Sequence, residues 1–126
     1  MKKYIPSELE PKWQKKWAED NLYGSNLEGD NKYYVLAEFA YSSGDLHMGH
    51  WFTFGGADIY ARMRRMQGFN IFFPNGFDAF GLPAENAAIK RSIHPKEWTM
   101  SNIEVMRRQF ATMGASFTFD HEVITC

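Results

Sequence analysis

The residue types that could do chemistry gather in one stretch, Tyr41-Ser42-Ser43-Gly44-Asp45-Leu46-His47-Met48-Gly49-His50. Two imidazoles three positions apart share one face of a helical turn, because residues at that spacing are neighbours there. Such a pair can donate hydrogen bonds to an anion, chelate a cation, or cap a helix. Chelation needs further ligands, and His94, His121, Cys126 and the scattered carboxylates show no metal-site spacing. Anion binding draws on two neighbouring features. Gly49 leaves the backbone open to a ligand where a Cβ would obstruct it, and a run of turn formers precedes the pair. Asp78, in Gly76-Phe77-Asp78, is a second candidate. By itself it reads as a turn carboxylate capping its own loop.

The elements that must hold these groups follow from periodicity. The apolar run Tyr33 to Phe39 predicts a buried strand that breaks at residues 41–45. A helix from His47 to Gln67 follows, with Phe52, Ile59, Met63 and Met66 among its apolar positions. Strand, small-residue turn and helix form the first half of a nucleotide-binding βαβ unit, in which phosphate sits at the helix N-terminus. Gly55-Gly56 costs that helix about 1 kcal/mol per glycine relative to alanine, which close packing on a neighbour would explain. Arg62, Arg64 and Arg65 complement the dipole at its C-terminus and read as a solvated basic end before Gly68.

Phe69 to Phe73 predicts a second strand, buried on both faces, and Pro74-Asn75-Gly76 a turn. Pro83 opens a helix through Arg91, and Ser92-Ile93-His94-Pro95 breaks it. Thr99 is placed to N-cap a helix reaching Met113, with Met100, Ile103, Met106, Phe110 and Met113 as its core face. Gly114 ends that helix, and residues 117–125 suit a third extended segment. Ahead of all this, Ser7 and Glu10 have capping-box spacing for a helix over Pro6 to Asn21, although Pro11 favours a start one turn later. Leu9, Trp13 and Trp17 would dock that helix as core residues, and residues 21–31 form a polar connector. The element order indicates an α/β fold with a parallel sheet.

The 126 residues suffice for one small domain with a core, and 44% hydrophobic content is globular, not disordered. A net charge of −1 is no electrostatic footprint for nucleic acid. The single cysteine permits no internal disulfide and fits a reducing compartment. The basic N-terminus lacks a following apolar stretch, and no run approaches the length that spans a bilayer, so a cytoplasmic protein without membrane partners is expected.

Two stretches carry a family resemblance. Ser43 to His50 resembles the HIGH motif of class I aminoacyl-tRNA synthetases in its S-G-x-L-H-M-G-H form. Gly76-Phe77-Asp78-Ala79-Phe80-Gly81-Leu82-Pro83-Ala84-Glu85-Asn86-Ala87-Ala88 resembles the G-W-D-A-F-G-L-P-A-E-N-A-A block of the bacterial-type leucine enzymes. The resemblance implies the N-terminal half of a Rossmann-like (HUP-type) nucleotide-binding catalytic domain. In it residues 1–31 are a helix and connector, and residues 32–126 the βα units. It also implies activation of leucine by ATP with Mg²⁺ and transfer to tRNA(Leu). By the same resemblance, His47 and His50 hold the ATP phosphates as catalytic residues, and Gly49 leaves room for the adenosine. Asp78 takes the leucine ammonium, while Phe39 and Tyr41 enclose its side chain.

The chain departs from the family pattern at several positions. Ser42 and Ala40 stand where prolines are common, Phe77 replaces the usual tryptophan, and Trp51-Phe52 follow His50 where a polar or basic residue is frequent. The lysine-rich KMSKS loop and the second half of the split nucleotide fold are not among these residues. An N-terminal part of a larger synthetase, acting with the remainder of that chain, is the resulting expectation. Another class I synthetase, another nucleotidyltransferase, or an inactive ATP- or amino-acid-binding or interaction module are the alternatives.

Overall fold

The structure is a computed structural model and describes residues 3–126. The two predicted strands are shorter than expected, as β1 (Lys32–Tyr34) and β3 (Asn70–Phe72), and each is followed by a strand the sequence did not suggest: β2 (Ala40–Tyr41), just past Phe39, and β4 (Gly76–Asp78), which begins inside the predicted turn. β1 pairs with β3, β2 pairs with β4, and β5 (Val123–Ile124) lies on the other side of β4; every pairing is parallel. Pro74 has no N–H to offer a ladder, so pairing stops there. Opposite that gap, the Phe39 ring lies so close to Gly76 that a Cβ there would meet it at 2.5 Å. Thr118 fills the gap from a third direction. Its N–H donates to the Phe73 carbonyl at 2.7 Å, and its hydroxyl accepts the Phe73 N–H at 3.0 Å.

The expectation of two fully buried strands needs correction. Val35, Ala40, Ile71 and Phe73 are buried, but Tyr34 and Leu36 are exposed. Asn70 is polar for a reason: its amide bonds Ser25 and both backbone groups of Asn26, which ties the connector to the sheet. The predicted third extended segment is mostly a loop, with a 3₁₀ turn at Phe119–His121 before β5.

The helices are α1 (Pro6–Glu19), α2 (Met48–Met66), α3 (Leu82–Lys90) and α4 (Pro95–Met113). An aromatic core joins α2 and α4 to the sheet: Phe54 meets Phe110 and Phe117 edge-on, Phe73 packs on Phe117, and Phe77 on Phe110. On α4 the predicted face is the observed one, with Ile103, Met106 and Phe110 fully buried. Its cap differs from the expectation. Nδ1 of His94 accepts from the Lys96 N–H at 3.2 Å, Pro95 takes the first position, and Thr99 is buried inside the helix. Gly114 closes α4 with a positive φ, a conformation glycine adopts without strain.

On α2 the inward face is Phe54 and Ala61, seven residues apart; Phe52, Ile59, Met63 and Met66 face solvent, Phe52 at 88% exposure. Gly55 and Gly56 border open space, so no neighbour among the described residues accounts for them. The arginines are not a solvated end. Arg62 is half-buried, donating to Asp58 at 2.6 Å and to the Tyr23 hydroxyl at 2.8 Å. Arg64 lies over the rings of Tyr33, Tyr60 and Phe69, and Arg65 over that of Tyr23. In α1 the cap is Ile5 with no side-chain bond, so Ser7 and Glu10 form no capping box, and Pro11 sits within the helix. No α1 residue is buried; Trp13 is 46% exposed, and half-buried Trp17 stacks edge-on against Tyr23. Gln14 supplies the tie to α4, donating to the Thr112 carbonyl at 2.9 Å. No helix among the described residues is long and apolar enough to cross a membrane.

Candidate active site

The chain enters α2 from β2 through the loop 42–47, and the two histidines cap the helix reciprocally. His47 is the N-cap: its Nδ1 accepts the Gly49 N–H at 3.1 Å. His50, at the third helical position, reaches back so that its Nδ1 accepts the His47 N–H, also at 3.1 Å. Two of the N–H groups that a helix start leaves unpaired are thereby satisfied, with imidazoles in place of the usual serine and glutamate. A nitrogen that accepts cannot carry a proton, so both rings are Nε2–H tautomers. The rings lie 4.0 Å apart. Burial holds the His50 pKa below its ordinary value, and the neighbouring His47 lowers it further, against an opposing pull from Glu38. With each Nδ1 engaged by the backbone, the Nε2 edges of the two rings, at a helix N-terminus, are a donor set for an anion.

Gly49 has an intramolecular role as well. A Cβ there would come within 2.8 Å of His47 Cε1 and 2.9 Å of its Nδ1, displacing the capping ring. The glycine is needed for the first imidazole to fold over the helix start.

The second group of candidate residues lies at the ends of β2 and β4. Tyr41 and Asp78 are register partners, so the two side chains originate side by side. Tyr41 is exposed, and half-buried Phe39 packs against Gly76. The Asp78 carboxylate accepts from the Thr125 hydroxyl at 3.3 Å, and that hydroxyl accepts the Ala79 N–H at 2.9 Å. The Asp78 carbonyl accepts both the N–H and the hydroxyl of Ser42 at 3.3 Å. Ser42 therefore fastens the histidine loop to the Asp78 loop, and the two groups share one rim at the carboxyl ends of the strands.

Three side chains that sequence reasoning passed over hold this rim. Thr125 is one; Asn102 and Gln109 on α4 are the others, bonding Ser42, Asp45 and Leu46. Polar residues beside the apolar positions of a core helix were the available signal. Among the described residues no three His, Cys, Asp or Glu side chains gather where they could hold a metal ion.

Comparison with known proteins places this geometry in a family. The family model described as tRNA synthetases class I (M) matches residues 33–122. Leucine–tRNA ligase of Dehalococcoides mccartyi (strain CBDB1) is 56% identical over 125 residues, covering 98% of this chain and 15% of the relative. That of Rubrobacter xylanophilus is 55% identical over 124 residues, with the same coverage. The chain thus spans 15% of the length of these curated relatives. Among solved structures, the LeuRS–tRNA–LeuAMS ternary complex of Agrobacterium radiobacter K84 superposes with a TM-score of 0.93 at 37% identity, over 98% of this chain and 16% of that one. Methionyl-tRNA synthetase of Mycobacterium tuberculosis, in complex with methionyl-adenylate, gives 0.68 at 27% identity, over 71% and 18%. With the matched region running from β1 to the segment before β5 and including both the imidazole cap and Asp78, the chain belongs to the class I aminoacyl-tRNA synthetases.

Proposed function

We propose that this chain supplies the nucleotide- and amino-acid-holding part of a leucine-activating site. Its residues 1–126 form the first part of a leucyl-tRNA synthetase catalytic domain, with 1–31 as helix and connector and 32–126 as the βα units. The observation that carries the reading is the imidazole pair with both Nδ1 atoms occupied by backbone N–H groups. The remaining Nε2–H groups donate to phosphate oxygens of ATP, and Gly49 lets the nucleotide approach the helix start. Asp78 receives the leucine ammonium, with Phe39 and Tyr41 along its side chain. A leucine carboxylate oxygen then attacks the α-phosphorus; the new P–O bond forms as the bond to the β-phosphate breaks, and pyrophosphate leaves.

In this step the chain positions its substrates and stabilises charge developing on oxygen, and no side chain becomes a nucleophile. Mg²⁺ carried by the ATP phosphates would supply neutralisation of their charge, and the chain's own residues offer no cluster that would hold it separately among the described residues. Transfer to tRNA(Leu) belongs to the whole synthetase, a cytoplasmic enzyme in which the remainder of the chain joins this part. A stable leucyl-adenylate analogue should bind the chain more tightly than the methionyl one, by calorimetric titration. Asp78→Ala should abolish binding of leucine and its adenylate while largely sparing ATP. Equal loss of ATP and leucine in a folded variant, or no preference for the leucyl analogue, would overturn the reading.

A further inference from the structure

We propose that Gln109 of α4 is a positioning residue for adenylate formation, acting through the loop that delivers His47 and His50. The inference rests on the function proposed above. Asn102 and Gln109 are seven residues apart and share one face of α4. Asn102 Nδ2 donates to the Ser42 carbonyl at 2.9 Å, at the start of the loop. Gln109 uses both ends of its amide at the loop's far end. Its Oε1 accepts the Leu46 N–H and its Nε2 donates to Asp45 Oδ1, each at 2.9 Å.

The residue after Leu46 is the N-cap itself, so the last backbone group fixed before the imidazoles is fixed by Gln109. The loop has other anchors, the buried Ser42 at its start and the Leu46 side chain packed against the core, but neither holds the Leu46 N–H. No proline stiffens the segment from Ala40 to His47. The Leu46 N–H lies in a half-buried setting, where loss of its acceptor leaves a donor unsatisfied. A small displacement of donors aimed at a transferring phosphoryl group is costly, on the order of a hundredfold in rate per ångström.

The test uses a charge exchange across the Asp45–Gln109 pair. Gln109→Met removes both bonds at similar volume. Gln109→Glu keeps an acceptor for Leu46 but sets a carboxylate against Asp45. Adding Asp45→Asn to Gln109→Glu restores complementarity, because the asparagine amide donates to the new carboxylate. Two measurements are made on the whole chain: ATP affinity by titration, and the imidazole nitrogen and His47 amide signals by NMR. Both single variants should remain folded, weaken ATP binding about tenfold, the equivalent of one hydrogen bond, and shift the imidazole and His47 signals. The double variant should bring ATP affinity back to within about twofold of wild type, well under one hydrogen bond's worth, together with the signals. Single variants with wild-type ATP affinity and unmoved signals would overturn the proposal. So would a loss of melting temperature without any change in the imidazoles, or a folded double variant that restores nothing. A wild-type chain without ATP affinity would count against the proposed function, and the imidazole signals alone would then decide the role of Gln109.

Discussion

The two histidines cap α2 through Nδ1 and, in the proposed function, donate through Nε2, so substitutions at them must be chosen accordingly. His47→Ala removes an N-cap as well as a donor, and should lower stability by about 1 kcal/mol in denaturant titration. His47→Asn, which keeps a capping oxygen, should leave stability near that of wild type, so any loss of ATP binding in it reports the donor alone. His50 carries a pH signature. Its folded pKa lies below the unfolded value of about 6.5, because burial and His47 disfavour the charged ring. The folded state therefore binds fewer protons than the unfolded one in that window. Stability is fully present above about 6.5 and is lost as pH falls toward the depressed folded value. Protonation of Nδ1 also removes the acceptor for the His47 N–H. His50→Gln, whose amide oxygen can make the same reach, should flatten the acid side of a melting-temperature profile below about pH 6.5. An unchanged slope would place the titration elsewhere.

At the scale of elements, α2 shows what a sequence reveals and what it conceals. The position of this helix, its start at a turn-rich stretch and its stop before Gly68 were legible because caps and turns are local chemistry. Its orientation was not. The helix carries two apolar stripes, Phe54 with Ala61 and Phe52 with Ile59 and Met66, and periodicity alone ranks the longer one as core. The choice is made by Phe110 and Phe117, more than fifty residues on, which receive Phe54 edge-on. β2 and β4 were hidden for a similar reason: they lie in or beside turn-rich stretches and are strands because they pair with each other and with β5. The Met-rich face of α4 was read correctly because only one stripe was available. Thr99 lost its capping role to His94, which has Pro95 beside it. Burial ranks the helices energetically. Phe54→Ala should cost about 3–5 kcal/mol, enough to threaten a domain of this size. Trp13→Ala, despite the larger ring, should change stability by about 0.5 kcal/mol or less.

At the scale of the whole molecule, α2 leaves an outward seam of Phe52, Ile59, Met63 and Met66 spaced by seven, four and three residues beside the open ground at Gly55 and Gly56. An apolar strip of that length on a solvent face promotes association. Phe52→Glu with Ile59→Glu should increase the monomeric fraction of the chain in sedimentation without lowering its melting temperature, since neither side chain is buried. A variant that unfolds would mean the stripe is part of the core after all. The tethers of the histidine loop reach even further along the chain. Leu46 is held by a residue 63 positions later, and the Asp78 carboxylate by Thr125, 47 positions later. During translation the imidazoles would therefore leave the ribosome well before the amide that sets them. At about 5–20 residues per second, roughly 3–13 s separate the two. Throughout that interval the nascent chain has its signature motif without the Gln109 tether, and under the proposed function its hold on nucleotide would be weaker until the end of α4 emerges.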